Sequence, residues 1–175
     1  MGKKEGAPAE PSKRKPPIRL AVLTVSDTRT KETDRSGQAI ISLAEEAGIE
    51  IAEYTICTDD QEAIHSLVSG WLLHAEVDAI VTTGGTGIAQ RDVTLEAVRP
   101  LFEKEIDGFG ELFRYLSYAE DIGTKAVLSR AAAGSAKEKI VFALPGSTGA
   151  VKLAMQRIIL PEIRHMIHEL TKHRE

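Results

Sequence analysis

The chain has 175 residues, 42% of them hydrophobic and 27% charged, with a formal net charge of −4. That length fits one domain with a substantial core, and the charge balance excludes a whole-molecule surface for nucleic acid. A single cysteine, Cys57, excludes an internal disulfide framework, and no apolar run approaches the ~20 residues of a membrane span.

The start of the chain shows no secretory h-region, so the expected setting is a reducing cytoplasm, away from membranes. Residues 1–17 carry Lys13-Arg14-Lys15 among prolines, alanines and glutamates, and read as a disordered basic tail. A single domain is expected over residues 18–175.

Residues 20–25 are apolar and β-rich, and Ser26-Asp27-Thr28 ends them with turn-forming side chains. Between Gly37 and Ala47, apolar residues recur at helical spacing until Gly48 stops the pattern. Residues 49–57 alternate as a second strand, with Cys57 as a small core residue. Ala63, Ile64, Leu67, Val68, Trp71 and Leu72 then mark an amphipathic helix. Residues 77–82 form the third strand.

Beyond Asp92, Leu95, Val98, Leu101 and Phe102 predict a short helix that Pro100 limits. Phe109, Leu112, Phe113 and Leu116 predict another, interrupted at Gly123. Residues 140–144 form a further strand ending at Pro145-Gly146-Ser147-Thr148, with Ser147-Thr148 as the N-cap of the last helix. That helix is expected to break or kink at Pro161. Strands alternating with helices imply an α/β fold with a parallel, helix-covered sheet. All strand carboxyl ends would then gather the loops at Ser26-Asp27, Thr58-Asp59-Asp60, Gly84 to Asp92 and Pro145 to Ser147 on one edge.

The richest of these loops runs from Thr83 through Gly84-Gly85-Thr86-Gly87 to Arg91-Asp92. Glycines let backbone approach an anion closely, and a strand-to-helix turn directs N–H groups outward. A Walker A loop is excluded because no lysine follows Gly87, and a dinucleotide fingerprint because the third glycine is replaced by Gln90. A tight turn and a phosphate site both remain open. Asp59 and Asp60 likewise admit two readings. Thr58 with Gln61, or Asp59 with Glu62, matches a capping box. Alternatively, Asp59 and Asp92 share a Mg²⁺, which prefers a few carboxylates plus phosphate oxygens and waters. Arg91, Ser129, Arg130 and Ser147 can contact phosphate or serve as ordinary ion pairs and caps. No zinc-ligand spacing surrounds His165 and His168, and no Gly-x-Ser-x-Gly or Cys–His pattern supports a covalent nucleophile.

Several ordered motifs together resemble the MogA/MoaB family of molybdenum-cofactor biosynthesis, related to the plant Cnx and gephyrin G domains. They are Leu23-Thr24-Val25-Ser26-Asp27, Thr82 to Gly87, Arg91-Asp92-Val93-Thr94, Gly108-Phe109-Gly110-Glu111, Leu128-Ser129-Arg130 and Leu144-Pro145-Gly146-Ser147. The look is closest to MoaB. The resemblance implies a three-layer α/β/α molybdopterin-binding domain with a mostly parallel, doubly wound sheet. It also implies Mg²⁺-dependent transfer of AMP from ATP to molybdopterin with release of pyrophosphate.

On this resemblance Asp59 and Asp92 match the family's two catalytic acids and would hold the metal. Gly84, Gly85, Thr86 and Gly87 would hold phosphates. Ser26 and Asp27 would line the nucleotide side, while Ser129, Pro145, Gly146 and Ser147 would border the pterin phosphate. Thr94, Glu111, Arg114 and Arg130 would complete the site. Assembly as a homotrimer or a hexamer of paired trimers is implied, with other molybdenum-cofactor biosynthesis proteins as partners. An inactive molybdopterin-binding protein or trimerising scaffold is the alternative. Aspartate at both acidic positions favours the enzyme.

Overall fold

The computed structural model describes residues 16–174. The tail expected over residues 1–17 therefore lies outside the described residues, save for Pro16 and Pro17. The chain runs through β1 (Arg19–Val25), α1 (Arg35–Glu46), β2 (Glu50–Cys57), α2 (Gln61–Leu72) and β3 (Ala79–Thr83). It continues through α3 (Thr94–Val98), β4 (Lys104–Glu105), α4 (Asp107–Ser117), β5 (Ala132–Ala136), β6 (Lys139–Leu144), α5 (Thr148–Ala154) and α6 (Leu160–Thr171). Six strands form one sheet in the order β2-β1-β3-β6-β5-β4.

The four strands β2, β1, β3 and β6 are parallel. Their apolar runs follow from burial on both faces. Alternate side chains point to opposite layers. Leu20, Val22, Val81, Phe142 and Leu144 face a core built with α1, α4, α5 and α6. Ala21, Leu23, Ile80, Val141 and Ala143 face a second core under α2 and α3. Each fully buried Leu or Phe here stabilises by about 1.5–3 kcal/mol. The result is the doubly wound three-layer sheet.

Three local expectations are corrected. First, β5 was absent from the strand pattern and runs antiparallel to β6, with the short β4 antiparallel to it in turn. Its sequence, Ala132 to Ala136, lacks the β-branched alternation that marks a strand. Small residues are required there: a Cβ on Gly134 would meet the Phe102 ring at 2.3 Å, and one on Gly110 of α4 would meet the Ala131 carbonyl at 2.8 Å.

Second, α2 is capped by Asp60, whose carboxylate accepts from the Ala63 amide at 2.8 Å, not by Thr58 or Asp59. Third, Pro161 does not break the last helix. It sits at the second residue of α6, directly after an i→i+5 turn over Met155–Ile159. A wider turn preceding a proline absorbs the missing donor and the ring's clash. No helix among the described residues is long and apolar enough to cross a membrane.

Candidate functional site

The parallel strands deliver their carboxyl-terminal loops to one edge, where they enclose a cavity of about 420 Å³. Its walls include Ser26 and Asp27 after β1, Asp59 after β2, Gly84, Gly85, Arg91 and Asp92 after β3, and Gly146 and Ser147 after β6. A second cavity of about 380 Å³ lies on the other side of the glycine loop. Gly84, Gly85, Asp92, Gly146 and Ser147 border both. Thr86, Gly87, Ser129 and Pro145 line the second alone, with Lys125, Asp121 and Phe113 beside them.

The glycines are demanded by the chain's own packing. Gly84 has φ +98° and lies against the Val25 carbonyl, which an added Cβ would meet at 2.3 Å. Gly85 has φ +70° and lies over the Thr94 hydroxyl, again at 2.3 Å from a would-be Cβ. That hydroxyl donates to the Gly84 carbonyl at 2.8 Å, so buried Thr94 fixes the loop from beneath and does not face either cavity. Opposite Gly87, a Cβ would meet Asp92 Oδ2 at 2.6 Å. The loop can therefore fold over the Asp92 carboxylate. Asp92 Oδ2 accepts from the Ala89 amide at 2.9 Å, which leaves Oδ1 the freer oxygen.

Asp59 comes to the same cavity from β2. Its backbone N–H donates to Asp27 Oδ1 at 2.9 Å, which ties the β1 and β2 loops together. Burial raises the Asp59 carboxyl above the ordinary carboxylate range, the charges of Asp27 and Asp92 push the same way, and Arg91 opposes them. The capping role of Asp60 leaves the Asp59 side chain in the cavity. Cys57 is half-buried below, and burial next to Asp59 and Asp60 pushes its thiol up to about 11. A thiol so disfavoured as thiolate is a poor nucleophile.

No group of three or more His, Cys, Asp or Glu residues among the described residues could hold a metal unaided. Two carboxylates at the edge of a roomy cavity suit Mg²⁺, which keeps most of its shell as phosphate oxygens and waters. The residues present fit that ion and do not fit a protein-caged metal.

Besides Thr94, three predicted site residues lie outside both cavities. Glu111 is exposed on α4 and lines a separate cavity of about 170 Å³ with Arg99 and Arg114. Arg114 spends Nη1 on the Ala131 carbonyl at 3.0 Å, joining α4 to the approach of β5. Arg130 lines neither large cavity and instead grips the glycine loop's carbonyls. Ser26 lines the first cavity, but its hydroxyl accepts from the Thr28 and Arg29 amides. Ser147 caps α5 through the Ala150 amide at 3.2 Å, as its sequence suggested.

Sequence reasoning missed Arg29, Ser36 and Asp34. Arg29 lines the first cavity and donates to Ser36 Oγ at 3.0 Å. Ser36 donates in turn to the Gly146 carbonyl at 2.6 Å. Asp34 is buried at the start of α1, accepting from Thr24 Oγ1, Tyr54 Oη and the Gly37 amide. The signal was available: Asp34 three residues before Gly37 is an N-cap spacing ahead of an apolar-periodic run. Lys125 was missed because it sits in an irregular turn with no periodic pattern.

Residues 21–165 match the family described as a probable molybdopterin binding domain. A molybdenum cofactor biosynthesis protein B from Staphylococcus carnosus (strain TM300) is 62% identical over 157 residues, which is 89% of this chain and 92% of that protein. The chain belongs to the MoaB family of molybdenum cofactor biosynthesis proteins. A crystal structure of a molybdenum cofactor biosynthesis protein B matches this MoaB-family fold with TM-score 0.87 and 52% identity, covering 91% of this chain and 98% of the other. The tungsten cofactor synthesizing protein MoaB from Pyrococcus furiosus matches with TM-score 0.76 and 40% identity, over 88% and 97% of the two chains.

Proposed function

We propose that this MoaB-family chain is a Mg²⁺-dependent molybdopterin adenylyltransferase. The observation that carries the reading is two cavities sharing one wall, with Asp92 at the shared wall. The first, charged cavity takes ATP; the second, with Phe113, Ile122 and Leu128 beside Lys125, takes the pterin and its phosphate. The terminal phosphate oxygen of molybdopterin forms a bond to the α-phosphorus of ATP. The bond from that phosphorus to the β-bridging oxygen breaks, and pyrophosphate leaves with the electron pair.

Both reactants are anions, so the protein's work is orientation and charge neutralisation. Gly84 and Gly85 let backbone approach the phosphates, and Arg29 and Arg91 supply positive charge from the first cavity's wall. Asp59 and Asp92 would hold Mg²⁺, which supplies charge neutralisation on the phosphates when bound. No side chain needs to act as a covalent nucleophile.

The test is to incubate the protein with molybdopterin, ATP and Mg²⁺ and follow pyrophosphate. Release that requires both the pterin and the metal is expected. Tight pterin binding with no pyrophosphate would make the chain a binding protein. Self-association as a trimer or paired trimers belongs to the same proposal. It is supported by apolar side chains left in solvent around the end of α4: Tyr115 at 64%, Tyr118 at 57% and Val127 at 82% exposure. Light scattering should give three or six chain masses, and a monomer would refute it.

A further inference from the structure

Arg130 lies just before β5 and reaches across to the glycine loop. Its Nε donates to the Gly87 carbonyl at 2.8 Å, and Nη2 donates to the Asp92 carbonyl at 3.1 Å. One rigid group thus fixes both ends of the segment that carries Asp92. Between those ends, Ile88, Ala89, Gln90 and Arg91 are exposed. Asp92's own bonds to Ala89 also restrain them, through Oδ2 at 2.9 Å and the Asp92 amide at 3.0 Å. The outer face of the guanidinium pairs with both carboxylate oxygens of Glu96 on α3. That pairing holds the Glu96 carboxyl below the usual carboxylate range.

An arginine bound to phosphate would present its fork to a cavity. Arg130 lines neither cavity and makes four hydrogen bonds to its own chain. The planar fork is what allows simultaneous contact with two carbonyls and a carboxylate. An ammonium is a single point and cannot span them.

We propose that Arg130, braced by Glu96, is a positioning residue: it sets the separation of Gly87 and Asp92 and thereby aims the Asp92 carboxylate at the wall between the two cavities. The kinetic consequence rests on the adenylyltransferase reading; the structural consequence does not. On that reading most contacts of ATP, those from the β1 and β2 loops, do not pass through this clasp, although that of Arg91 does. Turnover should therefore suffer more than nucleotide binding, since small misplacement at the reacting centre can cost roughly 100-fold.

The experiment uses the full chain as Arg130→Lys and as the milder Glu96→Gln. Hydrogen exchange by peptide mass spectrometry reads the loop without any ligand, and steady-state kinetics reads its consequence. In Arg130→Lys, exchange over residues 87–94 should rise by roughly tenfold or more, while the peptides of β1, β3 and β6 stay protected. The same variant should lower kcat by roughly 100-fold and shift the ATP dissociation constant by less than about threefold. Glu96→Gln should move both readouts in the same direction by about a tenth as much.

Unchanged loop exchange in Arg130→Lys would overturn the proposal. So would ATP or pterin affinity falling as far as kcat, since that marks a ligand contact. If global protection falls in Arg130→Lys, Glu96→Gln decides by the same criteria. A wild-type chain without turnover would defeat the adenylyltransferase reading, and loop exchange would still decide the role of Arg130.

Discussion

The two cavities on either side of the glycine loop are built from different materials. The first is walled by four loops that follow parallel strands, and it collects Asp27, Asp59, Asp92, Arg29 and Arg91. The second borrows the same glycines but is closed by α4 and the irregular turns before β5, which add Phe113, Asp121, Ile122, Lys125 and Leu128. The first wall is charged and dictated by topology. The second is mixed and dictated by packing. On the proposed reading the nucleotide's phosphates belong to the first, and the pterin ring with its phosphate to the second. The contrast is a division of labour that mutation can test.

The largest effect should come from the wall between the cavities. Asp92→Asn keeps the bond to the Ala89 amide through the remaining oxygen while removing the charge that would hold the metal. Turnover should fall by about 100- to 1,000-fold, with ATP and pterin binding each changed far less in equilibrium titrations. Equal loss of binding on both sides would break the comparison by making Asp92 a general scaffold.

Lys125 should sharpen the comparison next. Lys125→Ala removes a cation found only in the second cavity, so KM for molybdopterin should rise by about tenfold, with KM for ATP unmoved. A matching rise for ATP would mean that the cavities are not separate sites.

The pH dependence should be confined to the first cavity. The raised Asp59 carboxyl takes up a proton at a higher pH than an ordinary carboxylate, and the protonated form cannot ligate the metal. Apparent Mg²⁺ affinity should therefore fall roughly tenfold per pH unit once pH drops below that raised value, and Asp59→Asn should abolish this component. The stability sign is opposite. Without metal, a carboxyl raised in the folded state contributes stability at low pH and withdraws it as pH rises through its folded pKa. Pterin binding to the second cavity should not follow this profile.

Asp60→Ala should produce the smallest effect. It removes a helix cap and costs about 1 kcal/mol in denaturant unfolding, with turnover nearly unchanged. A large loss of turnover would show that the neighbouring aspartates had been assigned the wrong way round.

These differences also explain what could be read from the chain. The first cavity was legible because a parallel α/β sheet sends every strand end to the same edge, so four short polar segments could be placed together before any contact was known. The segments' internal roles were less legible. Thr58, Asp59 and Asp60 are three adjacent polar residues, and only the backbone at the start of α2 decides that Asp60 caps and Asp59 faces the cavity. Arg130 shows the same limit, because its pattern suits a phosphate as well as a pair of carbonyls. The second cavity was legible on one side only: its glycine-loop wall and Ser129, Pro145, Gly146 and Ser147 were named from the resemblance, and Asp121, Ile122 and Lys125 were not. The residues that close it lie in a π-helical turn and a 3₁₀ turn with no period to follow. The neighbouring β5 is written in alanine, glycine and serine because α4 and Phe102 press against it.

In the proposed reaction the two cavities hold two substrates whose phosphates meet at Asp92. The most direct measurement is the mass of the pterin recovered after incubation with ATP and Mg²⁺. Molybdopterin heavier by one adenylyl group is expected, with one pyrophosphate per pterin and almost none of either with Asp92→Asn. Pterin recovered unchanged from a wild-type protein that binds both substrates would contradict it.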